Sequence, residues 1–169
     1  MEWTERKFDF SAAESRVPGL IERLRGTPAR VEDRVSGVPG EILTRREGDR
    51  WSIQEQVGHL VTTEALFLGR LDDFDAGTAT LRPADMSNQR TWDAGFNDQP
   101  IEEVLMDLRR VRSTLVDRLE RMTGADFIRS ALHPRLEVPM RVCDMMSFEA
   151  EHDDHHLARI TGLLRKWRE

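Results

Sequence analysis

The sequence predicts an all-α protein, a four-helix bundle with a long connection between its second and third helices. Three observations lead there. The four longest periodic stretches all repeat their apolar residues at helical spacing, and no convincing alternating strand appears. Helix start and stop signals bracket those stretches. The interval between the second and third, about residues 76–98, is far longer than the 2–8 residues usual between bundle helices.

Each element has its own justification. The first stretch covers about residues 18–37, with Leu20, Leu24, Val31 and Val35 near heptad spacing. Pro28 inside it predicts a kink or a short restart. The second begins at Trp51-Ser52-Ile53-Gln54-Glu55, where Ser52 followed three residues later by Glu55 is a capping-box pattern. It runs through VGHLVTTEALFLGRLDDF and should stop near Gly77. The third opens at Pro100, a first-turn position where a missing N–H costs nothing. Ile101, Val104, Leu105, Leu108, Val111, Leu115, Leu119 and Met122 mark its face, with Gly124 as the expected stop. The fourth covers about residues 139–167. The connection carries Pro83, Asn88, Trp92, Phe96 and Asn97, and should pack over one end of the bundle.

Bulk properties narrow the function. With 169 residues the chain is expected to form one domain spanning 1–169. A net charge of −6 argues against nucleic acid or an anionic membrane as partner, leaving a small-molecule substrate. No apolar run approaches the roughly 20 residues of a membrane span. The N-terminal MEWTERKFDF lacks the apolar centre of a secretory signal. Cys143 is the single cysteine and can form no internal disulfide. A cytoplasmic location is expected.

The chemistry concentrates in EHDDHHLARI, residues 151–160, which holds three of the five histidines. With about 100° per residue, Val142, Met145, Met146, Leu157, Ile160, Leu163, Leu164 and Trp167 define an apolar arc. His152 and His156 lie one turn apart at its side, with Glu149 and Asp153 inside it. His155 falls outside and is expected to face a boundary or solvent. A histidine pair at i, i+4 can reach one metal. It can equally be a pair of core histidines hydrogen-bonded to the two carboxylates. A third ligand would decide, and His59 on the second stretch lies at the edge of its apolar arc, toward Gln56 and Thr63. His133 belongs to the loop before the fourth stretch and is expected to be exposed or to touch substrate. Arg112 and Glu64 fall in the apolar arcs of the third and second stretches. A buried ion pair is the favoured reading, and binding of a substrate carboxylate by Arg112 the alternative.

WSIQEQVGHL, EALFLGRLDDF, HPRLEVPMRV and EHDDHHLARI, in that order, resemble the DinB-like (DinB/YfiT) superfamily. The likeness runs from about residue 20 to residue 164. It implies a four-helix bundle with a long connection between its second and third helices. It also implies one divalent metal held by three histidines, which here would be His59, His152 and His156. Some relatives look like S-transferases that join bacillithiol or mycothiol to an electrophile, and a homodimer is also implied. The chain is too short for the second domain of the mycothiol-dependent isomerase that shares this bundle.

Three imidazoles leave open positions on a metal, the pattern of a catalytic site. With such a site, the function that the resemblance implies is metal-dependent S-transfer from a low-molecular-weight thiol, which the metal would hold as thiolate. A metal-dependent hydrolase is the first alternative, and a non-catalytic metal-stabilised binding bundle the second. Zinc or nickel is the expected ion, ahead of iron or manganese. Asp153 or Glu149 would orient a ligand imidazole or accept a proton.

Overall fold

The computed structural model describes residues 3–11 and 13–168; Met1 and Glu2 of the charged N-terminal stretch lie outside them. The chain runs through α1 (Val17–Arg25), α2 (Thr27–Val35), α3 (Gly40–Leu43), α4 (Ile53–Asp75), α5 (Gln89–Asp93), α6 (Ile101–Glu120) and α7 (Gly124–Phe127). A hairpin of β1 (Ser130–Leu132) and β2 (Pro139–Arg141) then leads into α8 (Val142–Arg168). The four bundle elements are α1 with α2, α4, α6 and α8. α6 and α8 each pack against both α4 and the α1–α2 unit, so α4 and α1–α2 are diagonal.

The first bundle element breaks where proline requires it. α1 ends at Gly26, and Pro28 sits in the first turn of α2, where no intrahelical N–H is missed. α4 starts as its capping box dictates. The Glu55 N–H donates to Ser52 Oγ at 3.1 Å, and the Ser52 N–H returns the bond to the Glu55 carboxylate at 2.9 Å. It ends at Asp75, two residues before Gly77 at φ +65°.

Three boundaries differ from expectation. α6 stops at Glu120, and Gly124 opens the short α7 instead of ending α6. Thr123, as N-cap of α7, exchanges bonds with Asp126, which fixes that second start. The fourth helix begins at Val142 because residues 139–141 pair with β1 in the register Ser130↔Arg141, Ala131↔Met140 and Leu132↔Pro139. Strands of three residues are too short to produce a readable alternation.

The long connection does pack on the bundle. Phe96 lies over Gly58 of α4, where a Cβ would meet its ring at 2.1 Å. Further back, the Leu81 N–H donates to the Leu132 carbonyl at 3.0 Å, and Leu132 N–H to the Ala79 carbonyl at 2.9 Å, fastening the connection to the hairpin.

The interior is divided. One apolar cluster holds Leu20, Leu24, Phe67, Leu71, Leu115 and Met145, and another holds Val31, Val35, Leu60, Leu108, Ile160 and Leu164. Between them, on every bundle element, stands a polar residue: Thr27, Glu64, Arg112, and the pair Glu149 and Asp153. No helix among the described residues is long and apolar enough to cross a membrane.

Candidate metal centre

α4 carries His59, and α8 carries His152 and His156 one turn apart. All three are buried, and one ligand atom from each lies within 4.8 Å of the others. The His152 Nε2 is 3.3 Å from the Nε2 of His59 and 3.1 Å from the Nε2 of His156. Two of the three remaining ring nitrogens are fixed from outside. His59 Nδ1 is 3.0 Å from the Thr91 hydroxyl, supplied by α5 of the connection. Thr91 in turn lies 3.0 Å from the Thr62 hydroxyl. His156 Nδ1 donates to the Gln56 side-chain oxygen at 2.6 Å. With the Nδ1 protons so engaged, the Nε2 lone pairs of His59 and His156 point at a common centre.

Burial is the largest cause holding the imidazoles in their neutral form. It lowers His59 and His152 to a pKa of about 3, with neighbouring imidazoles adding repulsion, and carries His156 well below its ordinary value. Neutral imidazole is the form that binds metal. Three nitrogens around a tetrahedral zinc at about 2.0–2.1 Å would stand about 3.3 Å apart. The Nε2–Nε2 spacings of 3.1 and 3.3 Å therefore suit a small divalent cation held among the three rings.

The histidines open on a cavity of about 730 Å³ lined by both apolar and polar side chains. Trp51 stacks beside His59 with ring centroids 4.4 Å apart, and Trp3 meets His152 edge-on at 5.1 Å. Phe67 and Phe148 continue the wall.

Known proteins share this fold. The sequence profile of the DinB superfamily matches residues 23–160. The chain belongs to the DinB superfamily. A relative from Geobacillus kaustophilus (strain HTA426), which carries the provisional name of a metal-dependent hydrolase, is 30% identical over 161 residues, covering 93% of this chain and 88% of its own. YfiT from Bacillus subtilis, described as having an unusual four-helix bundle topology, superposes with a TM-score of 0.82 at 20% identity, over 96% of this chain and 94% of that one. The colibactin self-resistance protein ClbS, solved with double-stranded DNA, gives a TM-score of 0.70 at 14% identity, over 88% and 94%. At these identities the two solved structures speak for the fold.

Within this DinB bundle the remaining sequence-selected residues fall as follows. Arg112 and Glu64 pair, as favoured: Arg112 Nε donates to Glu64 at 2.6 Å. Arg112 also donates to the Asp153 carboxylate at 2.6 and 3.1 Å and lies 3.4 Å from Glu149. It is thus occupied by three acids and does not line the cavity, which corrects its assignment to a substrate carboxylate. Asp153 also accepts from Thr27 at 2.6 Å. Asp153 and Glu149 thus face Arg112 and not the histidines; the orienting partners are Thr91 and Gln56. His133 is buried instead of exposed, its Nδ1 accepting from the Arg135 and Leu136 N–H groups at 3.3 and 3.2 Å, and it does line the cavity. His155 is buried as well, because the N-terminal segment lays Trp3 over it at 5.8 Å. Helical spacing could not reveal that cover, nor Thr91, which comes from the connection. Gln56 alone had a signal: it lies three residues before His59, on the same edge of α4.

Proposed function

We propose that the chain is an enzyme that uses a divalent metal, held by His59, His152 and His156, to hydrolyse a small molecule bound in the adjoining cavity. The observation that carries this reading is the convergence of three neutral Nε2 atoms, closed behind by Thr91 and Gln56 and open toward the cavity. Such a metal supplies Lewis acidity that polarises a substrate carbonyl and lowers the pKa of a coordinated water or thiol. The protein's own residues do the rest. Thr91 and Gln56 fix the ring orientations of His59 and His156, so both present Nε2 without rearrangement. Trp51, Phe67 and Phe148 displace water from the cavity wall, which strengthens every electrostatic interaction inside it. The provisional name of the Geobacillus relative supports hydrolysis.

One observation favours thiol S-transfer as a second reading. Among the described residues, the only carboxylates lining the cavity are Asp49 and Asp85, both exposed. Glu149 and Asp153 are committed to Arg112. A thiol, with a pKa of about 8.5, gives up its proton far more readily than water and has less need of a carboxylate base.

The two readings part in one experiment. Protein purified without a tag is stripped, reloaded with zinc or nickel, and offered carboxylic esters and, separately, a bimane electrophile with bacillithiol or mycothiol. Metal-dependent ester cleavage without thiol, abolished by His156→Ala, is expected. Turnover that requires the thiol transfers the assignment to the S-transferase reading. Metal loading without turnover in either arm refutes both.

A further inference from the structure

Among the described residues two arginines are buried, and only one has carboxylates within ion-pair reach. Arg112 meets three acids, but Arg70 of α4, 1% exposed, meets none. Its Nε donates to the Arg82 carbonyl at 3.2 Å. No carboxylate lies within ion-pair reach of it among the described residues. The acid nearest in sequence, Asp73, is already gripped by Arg82, through Nη2 at 2.7 Å, Nε at 3.0 and 3.1 Å, and the backbone N–H at 2.8 Å. Arg82 lies across Gly69, where a Cβ would meet its guanidinium at 2.1 Å, so the absence of a side chain there lets that pair form. Arg70 keeps its two terminal nitrogens uncommitted, and it lines the cavity.

A second donor stands with it. His133 also lines the cavity, and because its Nδ1 accepts two backbone N–H groups, its proton resides on Nε2. Burial, with Arg70 and Arg135 adding repulsion, lowers its pKa to about 4 and keeps the ring neutral. Asp73 acts on Arg70 only from beyond contact while Arg82 holds it, and a buried cation with no carboxylate in contact is costly unless something anionic completes it.

We propose that Arg70 and His133 form a carboxylate-binding subsite at the opposite end of the cavity from the three histidines. The substrate would then carry a carboxylate remote from the group that reacts at the metal. This rests on the cavity being a substrate site. Helical geometry sets the reach. His59, Thr63, Leu66 and Arg70 stand at i, i+4, i+7 and i+11 on α4, one stripe of the cavity floor. Eleven residues rise about 16 Å, so a substrate bridging both ends, with side chains leaning inward, would be on the order of 10 Å long. Phe148 packs against His133 with ring centroids 5.7 Å apart, and Phe67 packs against His152 at 6.3 Å. The stretch between the two ends is therefore an aromatic wall suited to an apolar body. Two terminal guanidinium N–H groups side by side match the two oxygens of a carboxylate.

The test uses metal-free protein, so that a carboxylate cannot bind at the metal and a failure of metal-dependent turnover leaves its outcome unaffected. Benzoate is titrated by calorimetry, with benzamide as the neutral isostere. Saturable one-to-one binding is expected, at least about tenfold tighter for benzoate than for benzamide. Arg70→Gln should weaken benzoate at least about tenfold, and Arg70→Lys by less. Equal binding to wild type and Arg70→Gln, or no saturable binding to wild type, overturns the proposal. Tighter binding of inorganic phosphate than of benzoate overturns the assignment to a carboxylate. Should the variants unfold, a metal-free wild-type crystal soaked with 4-bromobenzoate decides. The carboxylate should sit on Arg70 with the bromine toward the histidines, and a carboxylate placed elsewhere refutes the subsite.

Discussion

At the scale of single residues, His59 and His156 are ready to bind before any metal arrives, because their outer nitrogens are already engaged. Replacing such partners typically lowers metal affinity by 10–100-fold. Gln56→Ala removes the acceptor that holds His156 Nδ1 at 2.6 Å, and Thr91→Ala removes the hydroxyl 3.0 Å from His59 Nδ1. Each variant should retain its helical content and lose about tenfold or more in zinc affinity, read by chelator competition. Unchanged affinity in both would mean that ring orientation is set by packing alone. His152 is the contrast, since its Nδ1 is buried and has no hydrogen-bond partner. His152 and His156 were legible as a pair because i, i+4 spacing is a property of a single helix, and the resemblance to the DinB-like proteins joined His59 to them. Their partners were less so: Gln56 shares an edge of α4 with His59 but bonds to His156 only across the tertiary fold, and Thr91 comes from the connection with no sequence signal at all. Arg70 and Arg112 show the same limit: both are inward arginines, and only the position of acids on other segments separates them.

Among the elements, the connection between α4 and α6 is part of the metal centre, since α5 places Thr91 against His59. Its seating depends on Gly58, which leaves room for the Phe96 ring. The Gln54 side chain adds bonds to the Phe96 and Gln99 carbonyls, at 2.5 and 2.6 Å. A methyl at position 58 would have to displace Phe96, and overpacking of this kind costs about 1–3 kcal/mol. Gly58→Ala is therefore expected to lower the melting temperature and, by shifting α5, to weaken zinc binding in parallel. Loss of stability with zinc affinity intact would show that the connection moves independently of Thr91. The bundle helices themselves were readable from their caps, prolines and apolar spacing. The β1–β2 hairpin and α5 were not, because elements of three to five residues draw their stability from tertiary contact, and their sequences carry too little period to be seen.

For the whole molecule, one polar layer joins all four bundle elements and separates the two apolar cores. Arg112 of α6 donates to Glu64 of α4, to Asp153 of α8 and, at 3.3 Å, to the Leu24 carbonyl of α1, while Thr27 of α2 donates to Asp153. One cation cannot keep three buried acids ionised. Burial is the largest cause raising Glu64 to a pKa of about 7 and Glu149 well above the carboxylate range, against the pull of Arg112. A carboxyl whose pKa is higher in the folded state than in the unfolded chain binds more protons when folded. Its contribution is fully present below the unfolded value of about 4.5 and is lost as pH rises through about 7. The loss from Glu64 alone should be on the order of 2 kcal/mol, taking about 1.4 kcal/mol per pKa unit and discounting for coupling. Glu64→Gln keeps an oxygen to accept from Arg112 but cannot ionise. The buried neutral histidines raise stability over the same interval in both proteins, so the test is a difference. In denaturant titrations at pH 5 and pH 8, the stability of wild type relative to Glu64→Gln should fall as pH rises. Parallel pH profiles would place the titrating group elsewhere, whereas profiles that diverge between pH 5 and pH 8 would show that this layer, while fixing how the four elements align, leaves part of the fold's stability tied to the ionisation of Glu64.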